Sequence, residues 1–560
     1  MSEEFFQQGP KLGNQYRGDH LLQAYLKQKL PGDIFQQAQP ELDRMGERAA
    51  NDLLSAAAQA ESVVPVHTPF DPWGRRIDEI RMSQGWQHIA AAAAEEGIVA
   101  TGYERKFGAH SRFVQFAKLY LFHPSSAFVT CPLAMSDGAA RAIELYGDDE
   151  LKKGPFRKLI SRDPKDFWTS GQWMTEKAGG SDVSGTSTIA RAVSPRASGA
   201  TSTDYELHGV KWFTSATASQ MSMALARIDG HPEGSKGLSL FYIPVRDEQG
   251  NLQNIEILRL KDKLGTRAMP TAELRLNGAP AKLVGGEGNG VRKIASLFNV
   301  TRMYNAVCAL GGTRRALALA LDYAQRRNAF GKKIADHPLH AETLAELVVE
   351  FEGNFVLTFH LAELLGRDEL GQASSEESAM LRMLTPIAKL YTAKSCMAIT
   401  SEAMECLGGA GYIEDTGLPA LHRNAQVFAI WEGTTNVLSL DVVRAIEKEG
   451  AFQPFVAGIL KRLAGVNGFD PEAAAVKAGC AELSAFLQRA TKEGPDFVQA
   501  TARRFAYGLA RTCVASLLLE KAAFDGSARS AEVARRWCRA DKGLGSAGKE
   551  HRTLSRVLLD

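Results

Sequence analysis

Net charge is nearly absent from this sequence: 66 Lys and Arg stand against 64 Asp and Glu, a balance of +2 over 560 residues. That excludes a whole-chain polyelectrolyte that grips nucleic acid by bulk charge. Paired cysteines are absent too. Cys131, Cys308, Cys396, Cys406, Cys480, Cys513 and Cys538 are scattered, with no CxxC, so neither a disulfide framework nor a zinc ribbon is expected. They read as buried free thiols of a reducing compartment. No run reaches the ~18 apolar residues of a membrane span. The opening Met1-Ser2-Glu3-Glu4-Phe5-Phe6 lacks the basic and apolar regions of a signal peptide, and cytoplasmic residence is the expectation. His337 and His340 make an H-x-x-H, but Pro338 lies between them and no third ligand is near in sequence, so no metal site is expected. Apolar residues are not scarce. At 45% hydrophobic and 23% charged, the composition is that of a globular protein with a large core.

Residues 1–45, with Gly, Pro, Gln and short apolar pieces, read as an extended arm with short helices. From Asp33 to Ile160 the pattern is helical, as in Glu41–Ala60 and Trp86–Glu96. Near Phe167 the period changes. Tyr205–His208, Ile255–Leu260 and Ala272–Leu276 alternate apolar with polar residues, and Leu238–Val245 reads as a buried strand; period two between Gly, Asp and Asn turns means antiparallel β structure. Helical texture returns at Val291 and runs on past Glu449, where Phe505, Leu509, Cys513 and Leu517 fall on one helix face. The reading is an α+β chain: arm 1–45, helical domain 46–165, central antiparallel β domain 166–285, helical bundle 286–450 and a further helical domain 451–560.

One literal motif is set aside. Gly543-Leu544-Gly545-Ser546-Ala547-Gly548 matches G-x-G-x-x-G, but no strand precedes it and no βαβ unit surrounds it, so it reads as a turn. The run Trp173–Val183 is a polar, Gly-rich turn at the entry to the β domain. It is either a plain turn or one that follows a flat ring or a phosphate closely, since glycine adds no side chain. In Ile430–Asn436, Glu432 lies between Trp431 and Gly433 just before a helix expected over Val437–Lys448. It is either a helix-start capping acid or a general base whose pKa apolar neighbours raise and the helix N-terminus lowers. Arg326–Lys332 is a basic, aromatic turn that suits a pyrophosphate and adenine or a solvated helix end. Glu405–Tyr412 is a second Gly-rich turn.

Taken together, six motifs in this order resemble the acyl-CoA dehydrogenase flavoprotein family: Met174–Val183, Gly209–Ser215, Lys263–Arg267, Arg326–Lys332, Cys406–Tyr412 and Trp431–Asn436. The Met174-Thr175-Glu176-Lys177 form, Trp431 and the two terminal extensions are most similar to its AidB-type branch. The resemblance implies FAD. Thr175 and the backbone at Met174 would meet the flavin pyrimidine edge and N5 region, and Ser181 the flavin phosphate or the thioester ligand. Phe213, Thr214 and Ser215 would cover the ring. Arg327, Phe330, Glu405 and Gly409 would reach the FAD of a neighbouring subunit, although Glu405 replaces the more usual amide. Trp431, Thr434 and Asn436 would hold the cofactor, the last two its adenosine-diphosphate part at a helix N-terminus. Arg302 and Gly433, with Ser181, would line the substrate site.

Glu432 matches the family's catalytic base; the alternative locus, Thr301-Arg302-Met303, has no acid. The implied reaction is α,β-dehydrogenation of a medium- to long-chain acyl-CoA. The thioester carbonyl is polarised by a ribityl hydroxyl and the Glu432 N–H, in a homotetramer reoxidised by electron-transferring flavoprotein.

Residues 451–560 contain 17 Lys and Arg against 11 Asp and Glu, a net +6, which leaves −4 on residues 1–450. Arg503, Arg504 and Arg511, then Arg535, Arg536 and Arg539, are candidate DNA-phosphate contacts, as the resembled branch implies, or residues of a solvated or subunit-pairing face. Three functions follow: an acyl-CoA dehydrogenase; an AidB-like flavoprotein of weak activity that binds DNA in an alkylation-stress response; a flavin-bearing structural or lipid-sequestering protein.

Overall fold

The structure, a computed structural model, describes residues 6–193, 204–539 and 554–559; the G-x-G-x-x-G match at 543–548 lies outside them. The described residues fall into two compact units. One, the helical unit, is drawn from 1–43, 107–124 and 305–560; the other, the β unit, from 44–106 and 125–304. The border expected after residue 45 falls inside a helix.

Three helices open the chain: α1 (His20–Lys29), α2 (Gly32–Ala50) and α3 (Asp52–Ser62). Helix α2 runs through residue 45 because Ala38, Leu42, Met45 and Ala49, spaced four and three apart, form one buried face. The single helix expected over Glu41–Ala60 breaks at Asn51, the N-cap of α3. A hairpin of β1 (Val66–Phe70) and β2 (Arg76–Arg81) was not expected in this region. Its turn, Asp71-Pro72-Trp73-Gly74, carries the signal, since Pro suits the first central turn position and Gly74 has φ +84°. Then come α4 (Gln84–Glu95), α5 (Ala100–Glu104), α6 (Ser111–Phe122), α7 (Thr130–Tyr146), α8 (Asp149–Lys153) and α9 (Pro155–Leu159).

In the β unit, strands β3 (Ser170–Trp173), β4 (Ile189–Ala192), β5 (Asp204–Ser215), β6 (Met221–Ile228), β7 (Leu238–Pro244), β8 (Ile255–Leu260) and β9 (Thr271–Val284) form one seven-stranded sheet. Pairings β6–β4–β5–β9–β7–β6 close into a ring, with β3 beside β6 and β8 beside β9. Pairing is antiparallel, as expected, except that β3 and β4 run parallel to β6. Trp173, Tyr205, Leu207, Phe241, Ile243, Ile257 and Leu274 make the core of the ring, each worth about 1.5–3 kcal/mol when fully buried.

A 37-residue helix, α10 (Gly290–Arg326), starts in the β unit and ends in the helical unit. A short hairpin, β10 (Asn328–Ala329) and β11 (Lys332–Lys333), leads to α11 (Pro338–Glu369), α12 (Ser375–Cys406), α13 (Leu418–Phe428) and α14 (Thr435–Glu449). The last segment forms α15 (Phe452–Leu463), α16 (Asp470–Glu493), α17 (Pro495–Asp525) and α18 (Ala528–Cys538). Phe505, Leu509, Cys513 and Leu517 are all buried on α17, as their spacing requires. Among the described residues no helix is long and apolar enough to cross a membrane.

The C-terminal segment is bound to α11 through its own basic residues. Arg536, only 7% exposed, pairs with Glu342 at 2.9 Å and Glu532 at 2.7 Å, and Arg529 pairs with Glu352. Arg511 lies over the Trp537 ring at 4.7 Å, and the indole Nε1 donates to the Arg511 carbonyl at 3.0 Å. Trp537 packs on Gly353, where a Cβ would stand 2.3 Å from the ring. Gly353→Ala should therefore destabilise the protein by about 1–3 kcal/mol despite the gain in helix propensity; a lowered midpoint in urea denaturation checks this.

Candidate active site

The candidate residues divide between the two units. In the β unit, β3 delivers the chain from buried Trp173 into the Gly-rich turn. The turn is pinned from within by Glu176. Its Oε1 accepts from Lys211 Nζ at 2.8 Å and Thr188 Oγ1 at 2.5 Å, and its Oε2 accepts from the Ser187 N–H at 2.7 Å and Oγ at 2.6 Å. Both partners are buried, with side chains 4% and 0% exposed. Burial pushes the Glu176 carboxyl up, but the Lys211 ammonium and the hydrogen bonds from Ser187 and Thr188 outweigh it and hold the group at about 2. Burial lowers the Lys211 ammonium in turn, more than Glu176 raises it. Neither residue is marked for a role by the sequence motifs that contain it. The signal was available: Lys211 shares strand parity with buried Tyr205 and Leu207, where a cation must find a partner.

The turn is tied to β5 by the Trp212 N–H, which donates to the Thr175 carbonyl at 3.0 Å. Met174 is buried, Thr175 half-buried and Ser181 exposed. At this point β5 bulges: Lys211 pairs with Leu274 and Thr214 with Ala272, so Trp212 and Phe213 together oppose Glu273. The bulge turns Phe213 outward, 55% exposed, and Thr214 inward, 1% exposed with its hydroxyl donating to the Ala272 carbonyl at 2.8 Å. The Thr214 hydroxyl is spent inside the sheet, and Phe213 and half-buried Ser215 are the side chains presented. Lys261 Nζ stands 3.8 Å from the Trp212 ring and 4.5 Å from the Phe213 ring while pairing with Glu273 at 2.7 Å.

Half-buried Arg302 lies on α10. The locus without an acid in sequence has one nearby in space. Asp137 of α7, fully buried, accepts from Tyr304 Oη at 3.0 Å and Tyr103 Oη at 2.8 Å. Both hydroxyls donate to this carboxylate, which ties α5 and α7 to α10.

In the helical unit, Phe330 and Gly331 form a two-residue turn between β10 and β11, both at positive φ, +51° and +82°. A phenylalanine in that region is strained, and its ring is 96% exposed. Half-buried Arg327 donates to Gln7 Oε1 at 2.6 Å. Glu405 and Gly409, at and after the end of α12, are exposed.

Glu432 sits at φ +56°, followed by Gly433 at φ +102°. Helix α14 begins at Thr435 with Thr434 as N-cap, so Glu432 is outside the helix and is not its capping acid. Trp431, Glu432 and Gly433 are half-buried; Thr434 and Asn436 are exposed. Gly433 is required here, since a Cβ would meet Leu438 Cδ2 at 2.9 Å in a conformation L residues avoid. Its carbonyl accepts from Lys389 Nζ at 2.6 Å.

FAD suits these residues. The Thr434 side chain makes no cap bond to α14 and the first turn holds no acid, so the positive end of the helix is available to a phosphate. The bulge in β5 presents an aromatic face.

Comparison with known proteins follows the same order along the chain. Residues 8–163 match the model of the adaptive response protein AidB N-terminal domain and 171–279 that of the acyl-CoA dehydrogenase middle domain. Residues 288–447 match the acyl-CoA dehydrogenase C-terminal domain and 450–554 the acyl-CoA dehydrogenase 11 C-terminal domain-like model. The chain is 41% identical to acyl-CoA dehydrogenase family member 11 of Caenorhabditis elegans over 553 residues, 95% of this chain and 88% of that protein. It is 32% identical to putative acyl-CoA dehydrogenase AidB of Escherichia coli over 396 residues, 68% of this chain and 69% of that protein. The crystal structure of Caenorhabditis elegans ACDH-11 in complex with C11-CoA matches with a TM-score of 0.93 at 40% identity, covering 97% of this chain and 93% of that one.

Proposed function

The chain belongs to the acyl-CoA dehydrogenase family, which is FAD-dependent, and on that premise we propose that it desaturates a medium- to long-chain acyl-CoA between its α and β carbons, with Glu432 as the base. One observation carries the reading. The carboxylate of Glu432 is held outside α14 on two consecutive left-handed residues. Such backbone costs on the order of 1–3 kcal/mol and persists where the surroundings over-determine it. Bound FAD supplies the acceptor for the β-hydride. Glu432 takes the α-proton, and its N–H polarises the thioester carbonyl. The Thr434–Asn436 helix start would hold the diphosphate, and Phe213 and Ser215 would orient the ring. The relative whose structure contains C11-CoA supports the chain-length class.

The reading includes a homotetramer with shared flavin sites, supported by the exposed, strained Phe330, and electron-transferring flavoprotein as acceptor. DNA binding through 451–560 has less support. Arg536 and Arg511 are engaged with α11, α12 and α18 side chains, and Arg535 lies 3.9 Å from Glu472. Exposed Arg503, Arg504 and Arg539 are what remains in its favour.

Anaerobic addition of acyl-CoAs of graded chain length to the purified yellow protein tests the proposal. Medium and long chains should bleach the flavin absorbance. Bleaching by no chain, together with salt-sensitive retention on DNA, would replace it with the DNA-binding reading.

A further inference from the structure

We propose that Lys389 is a positioning residue for the reaction, holding Glu432 at the angle proton transfer requires; the inference rests on Glu432 being the base. Lys389 lies in the middle of α12 among Leu384, Ile387, Ala388, Leu390 and Ala393, all buried, and is itself 0% exposed. Nothing in local helix chemistry calls for an ammonium there. Burying one costs several kcal/mol unless it is well bonded, so its placement has to be explained by what it contacts. Its Nζ donates to the Gly433 carbonyl at 2.6 Å, the peptide unit that begins one residue after Glu432.

Arg382 of α12 also bonds the segment carrying the base, through Asp441 and Glu449. Seven residues earlier on α12, on the same helix face, Arg382 pairs with Asp441 of α14 at 2.6 Å. Asp441 is eight residues after Gly433, about two turns along α14. The Arg382 bond sets where α14 lies along α12. The Lys389 bond sets the orientation of the turn before it, where Glu432 and Gly433 both have positive φ. Such a turn has lower-energy alternatives that a peptide flip would reach. A charged donor on the Gly433 carbonyl opposes that flip, because the flip would leave the buried ammonium without this acceptor. A base displaced by ~1 Å loses about 10²-fold in rate, so the bond serves the direction of the carboxylate more than it serves the fold.

The test uses the full-length FAD-loaded protein with Lys389→Met, which removes the donor, and Lys389→Gln, one bond shorter, which stretches the contact. Expected are flavin bleaching at saturating acyl-CoA slowed by about 10–10²-fold in Met and less in Gln, unchanged acyl-CoA affinity, and a larger isotope effect with α-deuterated substrate. In protein without substrate, amide exchange over 430–436 should be faster in both variants. Wild-type bleaching in Lys389→Met, or a rate that falls with affinity at an unchanged isotope effect, overturns the proposal. If the Met variant does not fold, the Gln variant decides by the same readouts. Glu432→Gln, run beside them, separates the two ideas. Wild-type bleaching there removes Glu432 as base, whereas an inactive Glu432→Gln beside a fully active Lys389→Met removes only the role of Lys389.

Discussion

Glu432→Gln should slow bleaching of the bound flavin by a saturating acyl-CoA by about 10²–10⁴-fold, the usual contribution of a positioned general base. The amide is isosteric and lacks only the ability to take a proton. Glu432 is half-buried and precedes the N-cap of α14, so the substitution leaves the helix and its available N–H groups in place. Acyl-CoA affinity and flavin content should therefore stay near wild type, and the loss should fall on kcat. A variant that bleaches at the wild-type rate would mean that another group takes the α-proton. Asp137 is poorly placed for that role, since two tyrosine hydroxyls already donate to its buried carboxylate.

Lys211→Met should cost about 3–5 kcal/mol of stability, the penalty for leaving a buried carboxylate without its counter-charge. Denaturant unfolding of the β unit measures it. Glu176 is lowered from its ordinary 4.5 to about 2 in the folded protein. Its contribution to stability is therefore complete above the unfolded value and is lost as pH falls from about 4.5 towards 2. Lys211→Met should abolish that acid-sensitive component as well as lower the plateau. Lys211→Met combined with Glu176→Gln should recover part of the loss, because the unpaired charge is gone. A single Lys211→Met variant as stable as wild type would show that the pair does not hold the Gly-rich turn.

Much of this architecture was legible in the sequence because local chemistry specifies it. Period-two alternation in Ile255–Leu260 and the apolar run Leu238–Val245 predicted β8 and β7. The face Phe505, Leu509, Cys513 and Leu517 predicted α17. The hairpin at Val66–Arg81 is marked in the sequence only by the turn chemistry of Pro72 and Gly74. Residues 1–45 read as an arm because their polar residues hide the apolar face that recurs at every third or fourth position of α2.

The site was legible as residue identities and not as directions. Alternation along β5 carries Tyr205, Leu207 and Lys211 to the buried face and, continued, would bury Phe213 and expose Thr214. One extra residue against β9 reverses that parity. Bulges depend on the partner strand, which local sequence does not report. The six arginines of 451–560 proposed as phosphate contacts are a second case. Composition predicts a basic appendage, but whether a guanidinium meets solvent or Glu342 is decided by a helix nearly two hundred residues away.

By itself the sequence determined the elements, their order, the motifs of the acyl-CoA dehydrogenase family and Glu432 as the candidate base, since each depends on neighbours within a few positions. Only the tertiary structure decided that Glu176 pins its turn through Lys211, that Phe213 faces out, and that Lys389 grips the peptide beside the base. Each of those needs a buried charge or a strand register to be matched by residues distant in the chain, and burial, which makes the match obligatory, exists only once the chain has folded.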